Sequence, residues 1–82
     1  MTEGENKVIV IRREDGKYFQ GCGYGGPGHS VPYWTEDIQM AAGYKVIAAA
    51  VKAAGRYGGH AGIATADSDG VPREWHGSLP DL

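Results

Sequence analysis

The chain has 82 residues, a formal net charge of −2 and a single cysteine. A chain of this length makes one domain, and it buries only about 60–65% of its unfolded surface, so its core has little margin. One cysteine excludes an internal disulfide and offers no zinc framework, and eight Lys plus Arg against ten Asp plus Glu argue against direct nucleic-acid binding, which calls for a basic face.

Residues 1–6 are polar and read as a frayed N-terminus ahead of a core spanning residues 7–76. They lack the charged region and apolar run of a signal peptide, and no apolar run approaches the roughly 20 residues of a membrane span. The expected compartment is therefore a reducing cytoplasm. Residues 7–13 (KVIVIRR) are rich in β-branched side chains and predict a strand. Val8, Ile9, Val10 and Ile11 are apolar on both faces, which places this strand in the middle of a sheet.

Asp15-Gly16 then signals a two-residue type I′ turn, with residues 17–22 as the return strand. That turn sets a register of Glu14 opposite Lys17, Arg12 opposite Phe19, Val10 opposite Gly21 and Ile9 opposite Cys22. A Glu14–Lys17 pair across the hairpin would contribute a few tenths of a kcal/mol. Residues 23–33 (GYGGPGHSVPY) read as a glycine- and proline-rich loop carrying Tyr24, His29 and Tyr33.

Residues 35–55 predict a helix. Thr35 is a suitable N-cap, Glu36 and Asp37 suit the first turn, and Trp34 can act as a staple. Met40, Tyr44, Ile47, Val51 and Ala54 form a core-facing stripe, and Gly43 is the expected point of a kink or break. Gly55 reads as the stop. Ile38, Ala42, Val46, Ala49 and Ala53 form a second face without charge, which needs cover from the chain or from a partner. Residues 61–66 are a weak third strand, 67–70 a turn, and 71–75 can add a fourth strand at an edge, where Pro72 is tolerated. Residues 77–82 read as a tail. The fold class is α+β: a small antiparallel sheet of order 2-1-3, with room for the fourth edge strand, packed on one helix. A crossover joins the parallel second and third strands.

The candidate chemistry is thin. Gly21-Cys22-Gly23-Tyr24-Gly25-Gly26 contains G-x-G-x-x-G, but it follows half of a hairpin and Pro27 and Pro32 delay the helix, so no dinucleotide site is expected. Cys22, His29, His60 and His76 have no zinc spacing. Cys22 reads as a small, partly buried thiol opposite Ile9. Asp67-x-Asp69-Gly70 lacks the other ligands of a calcium loop and reads as a polar turn. No catalytic residue, metal or cofactor is assigned. Lys7, Arg12, Arg13 and Lys17 with Tyr18 and Phe19 are a basic-aromatic hairpin diluted by Glu14 and Asp15. Aromatics on loops are favoured interface anchors. The expected partner-binding residues are Asp67, Asp69, Glu74, Trp75, Tyr24 and Tyr33.

Asp15-Gly16-Lys17-Tyr18, then Trp34-Thr35-Glu36-Asp37, Ala41 and Tyr44, lie in a layout spanning residues 7–66 that resembles small β-β-α-β proteins encoded by phages and mobile elements. In size and mild acidity the chain is also similar to anti-CRISPR proteins. The resemblance implies a non-enzymatic inhibitor that binds a bacterial host protein or complex in the host cytoplasm. Two alternatives stand beside it: a nucleic-acid-binding accessory protein using the basic hairpin, and a homo-oligomer paired through the second helix face.

Overall fold

The computed structural model describes residues 6–79. The expectations of a frayed segment before residue 6 and of a tail in residues 80–82 lie outside the described residues. Five strands, β1 (Asn6–Arg12), β2 (Tyr18–Tyr24), β3 (Ser30–Thr35), β4 (His60–Ala66) and β5 (Pro72–Ser78), form one antiparallel sheet in the order β3-β2-β1-β4-β5. One helix, α1 (Ile47–Tyr57), packs on it. The α+β class and the central place of the VIVI strand are as the sequence implies. The sheet has five strands rather than three or four, and the crossover through α1 now joins antiparallel strands, β3 and β4. Residues 77 and 78 belong to β5 and not to a tail, and Leu79 is tied to the sheet by donating its N–H to Ala61 O at 2.9 Å.

β1 carries both halves of the core. Val8 and Val10 pack with Ala41, Ala64 and Ala66 on one face, roofed by Tyr18, Ile38 and Trp75. Ile11 packs with Phe19 and Ala54 on the other, closed by Trp34, Tyr44 and Tyr57. Val8, Val10, Ile11 and Phe19 each contribute about 1.5–3 kcal/mol by leaving water, and each alanine less.

β1 pairs with β4 along its whole length, from Asn6 opposite Ala66 to Arg12 opposite His60. Its other edge is different. The hairpin loop has three residues, with Arg13 N–H donating to Lys17 O at 2.7 Å and Gly16 at φ +89°. That is a turn followed by a glycine in the left-handed region, the usual three-residue solution. The register therefore moves by one: Arg12 faces Tyr18, not Phe19. Glu14 does not face Lys17; Arg13 pairs instead with Asp15 at 2.6 Å.

Beyond this pair β1 and β2 separate, and residues 42–44 pass between them. Ala42 N–H donates to Phe19 O at 2.9 Å, while Tyr44 and Ile9 exchange two backbone hydrogen bonds of 2.8 Å. The predicted pairs of Val10 with Gly21 and Ile9 with Cys22 are thereby replaced. The insert carries the chain from the Val8–Val10 face, where Ala41 is buried, to the opposite face, where α1 lies.

The helix expected from residue 35 begins twelve residues later, at Ile47. The capping signals are real but serve a shorter element. Thr35 Oγ1 accepts from Asp37 N–H at 3.1 Å, and Asp37 Oδ1 accepts from Gln39 N–H at 3.0 Å, capping a 3-10 turn, Ile38–Met40. The chain leaves this turn extended, and the break expected at Gly43 falls within the inserted stretch. α1 buries Ala50 and Ala54. Met40, Ile47 and Val51, expected in the core, are 54%, 43% and 51% exposed. Gly55 lies within α1; the stop is Gly58, at φ +98°, whose N–H donates to Ala54 O at 2.8 Å.

Candidate partner-binding site

Past Phe19, the β2–β3 hairpin leaves β1 and stands as a two-stranded arm. The region read as a loop is a strand because β2 supplies glycines opposite large side chains. Tyr33 lies against Gly23 and Val31 against Gly25, so closely that a Cβ at either glycine would collide with them. The arm turns at residues 25–29, with Gly25 N–H donating to His29 O at 3.2 Å and His29 N–H to Gly26 O at 3.0 Å. Alternation from the first of these bonds puts Pro32 in a non-hydrogen-bonded pair with Cys22. Its ring, not an N–H, therefore meets the open edge of β3 and blocks addition of another strand.

From Tyr18 to Thr35 there is no Asp, Glu, Lys or Arg. Tyr24 is 81% exposed and Tyr33 52% exposed, and Val31 is exposed beside them. Tyr33 and Val31 share one face of the arm, and by strand alternation Tyr24 lies on the other. Cys22, expected to be partly buried opposite Ile9, is exposed on the arm opposite Pro32. The G-x-G-x-x-G glycines lie within β2 and the hairpin turn, and the next element is the strand β3 and not a helix.

The other predicted anchors lie across the sheet, with β1 between the two groups. Asp67 is committed to the β4–β5 turn. Its Oδ1 accepts from the N–H groups of Asp69 at 2.9 Å and Val71 at 3.0 Å, and its Oδ2 accepts from Arg73 at 2.8 Å. The Val71 N–H, followed by Arg73, holds the Asp67 carboxyl below the usual carboxylate range. Asp69 and Glu74 are exposed. Trp75 is half-buried, and its ring centroid is 6.2 Å from that of Tyr18. The guanidinium carbon of Arg12 is 5.8 Å from the Tyr18 ring and 5.7 Å from the Trp75 ring. Three nearly equal separations make a triangle, so Arg12 caps the notch between the tilted rings. Trp75 therefore roofs the core before it can serve as an anchor.

The basic hairpin is not an open stripe. Arg13 stacks on Trp34 at 4.6 Å and pairs with Asp15, while Arg12 is folded against its two rings. His76 contacts Thr65 across β4–β5, His29 lies in the arm turn and His60 begins β4. Among the described residues, no three His, Cys, Asp or Glu side chains gather where they could hold a metal, and no helix is long and apolar enough to cross a membrane. Residues 23–33 read as a loop in the sequence because glycine and proline mask the strand pairing, although Tyr24 and Tyr33 are legible there as anchors. The signal that could have found it is the alternation of glycines in β2 with the bulky alternate residues of β3. No family model, curated protein or solved structure matches this chain.

Proposed function

We propose that this chain is a non-enzymatic protein-binding module whose contact element is the β2–β3 arm. Its concrete form is an inhibitor of a bacterial nucleic-acid-handling complex, of the anti-CRISPR kind. The carrying observation is an uncharged arm that holds Tyr24 and Tyr33 in water, 81% and 52% exposed. Tyrosine is a favoured hot-spot residue because it offers a large apolar body and a polar tip at low entropic cost. An arm without a cation has nothing to neutralise phosphates, so its chemistry suits a protein surface better than a nucleic acid. Asp69 and Glu74, exposed on the far side of β1, would steer approach to a basic partner without carrying the affinity.

A second reading has its own observation. Ile47 and Val51, one helical turn apart on α1, are 43% and 51% exposed and favour pairing with a second copy. Light scattering separates the two readings, because a monomer at every concentration rules out the homodimer.

The test is a pull-down from a bacterial host lysate with quantitative mass spectrometry. It compares the native chain with Tyr24→Ala/Tyr33→Ala and with Asp69→Lys/Glu74→Lys. Loss of the specifically captured protein with the tyrosine variant supports the arm. Unchanged capture with that variant, and loss with the charge variant, would transfer the contact to the acidic edge.

A further inference from the structure

A recess of about 140 Å³ lies on the helix side of the sheet, between the start of α1 and strands β1 and β4. Ile9, Ile47, Ile63 and Leu79 line it, together with Lys7 and Lys45. A neighbouring depression shares Lys7, Val8 and Lys45 with the recess and continues to residues 68–70. The shared residues mark the junction, so both lysines stand at one end and the isoleucines and Leu79 form the body. Among the described residues, no carboxylate lines the recess. Asp69 borders the neighbouring depression, yet among the described residues the ion pairs are Arg13–Asp15 and Arg73–Asp67, neither involving a lysine.

We propose that this recess binds a short aliphatic carboxylate, with its chain among Ile9, Ile47 and Ile63 and its carboxylate against Lys7 and Lys45. The size sets the chain length: an apolar cavity of about 150 Å³ accepts benzene, so this one takes roughly six carbons. The charge sets the head group: aliphatic side chains and Tyr44 line the rest of the recess, so its cationic end complements an anionic amphiphile and opposes an amine. The site is separate from the arm and stands whether or not the arm binds a protein.

The experiment is an NMR titration of the ¹⁵N-labelled full chain with butyrate, hexanoate, 1-hexanol and hexylamine. Hexanoate is expected to move the amide signals of Ile9, Lys45, Ile47 and Ile63 saturably. Affinity should rise about fourfold for each methylene between butyrate and hexanoate. Hexanol should bind about fivefold more weakly, and hexylamine more weakly still. Lys7→Gln/Lys45→Gln alters two exposed side chains and should bring hexanoate down to the level of hexanol. Lys7→Arg/Lys45→Arg should retain the preference, and it serves as the control if the glutamine variant does not fold. Equal affinity for hexanoate and hexanol, shifts without saturation, or shifts confined to other residues would each overturn the proposal. So would an acetyl-Asp-Leu-amide peptide acting on the same signals at lower concentration, which would assign the recess to a peptide segment and not to a free carboxylate.

Discussion

The indole of Trp75 lies directly over Gly62, two strands that touch through the one position in β4 where a side chain is missing. A Cβ on Gly62 would overlap both the indole ring and the carbonyl oxygen of Gly77. Through that gap Trp75 crosses β4 and reaches Tyr18 and Arg12, closing the core over Val8 and Val10. Gly62→Ala should therefore destabilise the fold by about 1–3 kcal/mol, the usual cost of overpacking. Denaturant melts check it, and a loss below about 0.5 kcal/mol, the range of an ordinary surface change, would refute the packing role.

Gly55 predicts the opposite sign. It lies inside α1, a Cβ there would meet nothing within 4 Å, and its φ is not positive. Gly55→Ala should stabilise the protein by about 0.5–1 kcal/mol, because alanine loses less backbone freedom in a helix. A destabilised variant in thermal melts would show that the glycine ends the helix, as its sequence position suggests.

The two acids of the β4–β5 turn should behave differently. Asp67 bonds two backbone N–H groups and Arg73, whereas Asp69 is exposed and its side chain accepts no hydrogen bond from a described residue. Asp67→Lys should lower the melting temperature and broaden the amide signals of residues 67–73. Asp69→Lys should leave both near native. Equal tolerance of the two would mean that the turn forms without its carboxylate.

The hairpin loop gives a pH prediction. The Arg13 guanidinium, then the Lys17 N–H, lower the Asp15 carboxyl from 3.8 to about 2. A carboxyl depressed by folding contributes stability that is complete above its unfolded value, near 4, and disappears as the pH falls through about 2. The native chain should therefore be more stable than Asp15→Asn at pH 6, with the difference shrinking between pH 4 and 2. A difference independent of pH would show that the Arg13–Asp15 pair does not form in solution.

The parts of the fold that the sequence made legible are those fixed by local chemistry. Val8–Ile11 demanded a central strand, Asp15-Gly16 a hairpin, and Pro72 an edge. The misreadings arise where distant residues decide. Thr35 and Asp37 do cap, but they cap a 3-10 turn, and Tyr44 then exchanges its backbone hydrogen bonds with Ile9, so the helix starts only after the insert has passed. β3 exists because Tyr33 and Val31 fill space left by Gly23 and Gly25, a fit across strands that propensity cannot register. In the same way the acidic residues and the tyrosines, grouped as one site by their chemistry, fall on opposite sides of β1.

The most direct measurement of the arm's role is a hydrogen-exchange footprint of the chain bound to the protein it captures. Binding through the arm predicts slowed exchange at residues 21–33, with the amides of residues 67–76 unchanged. Protection confined to residues 67–76, or to α1, with the arm exchanging as it does in the unbound chain, would contradict the account.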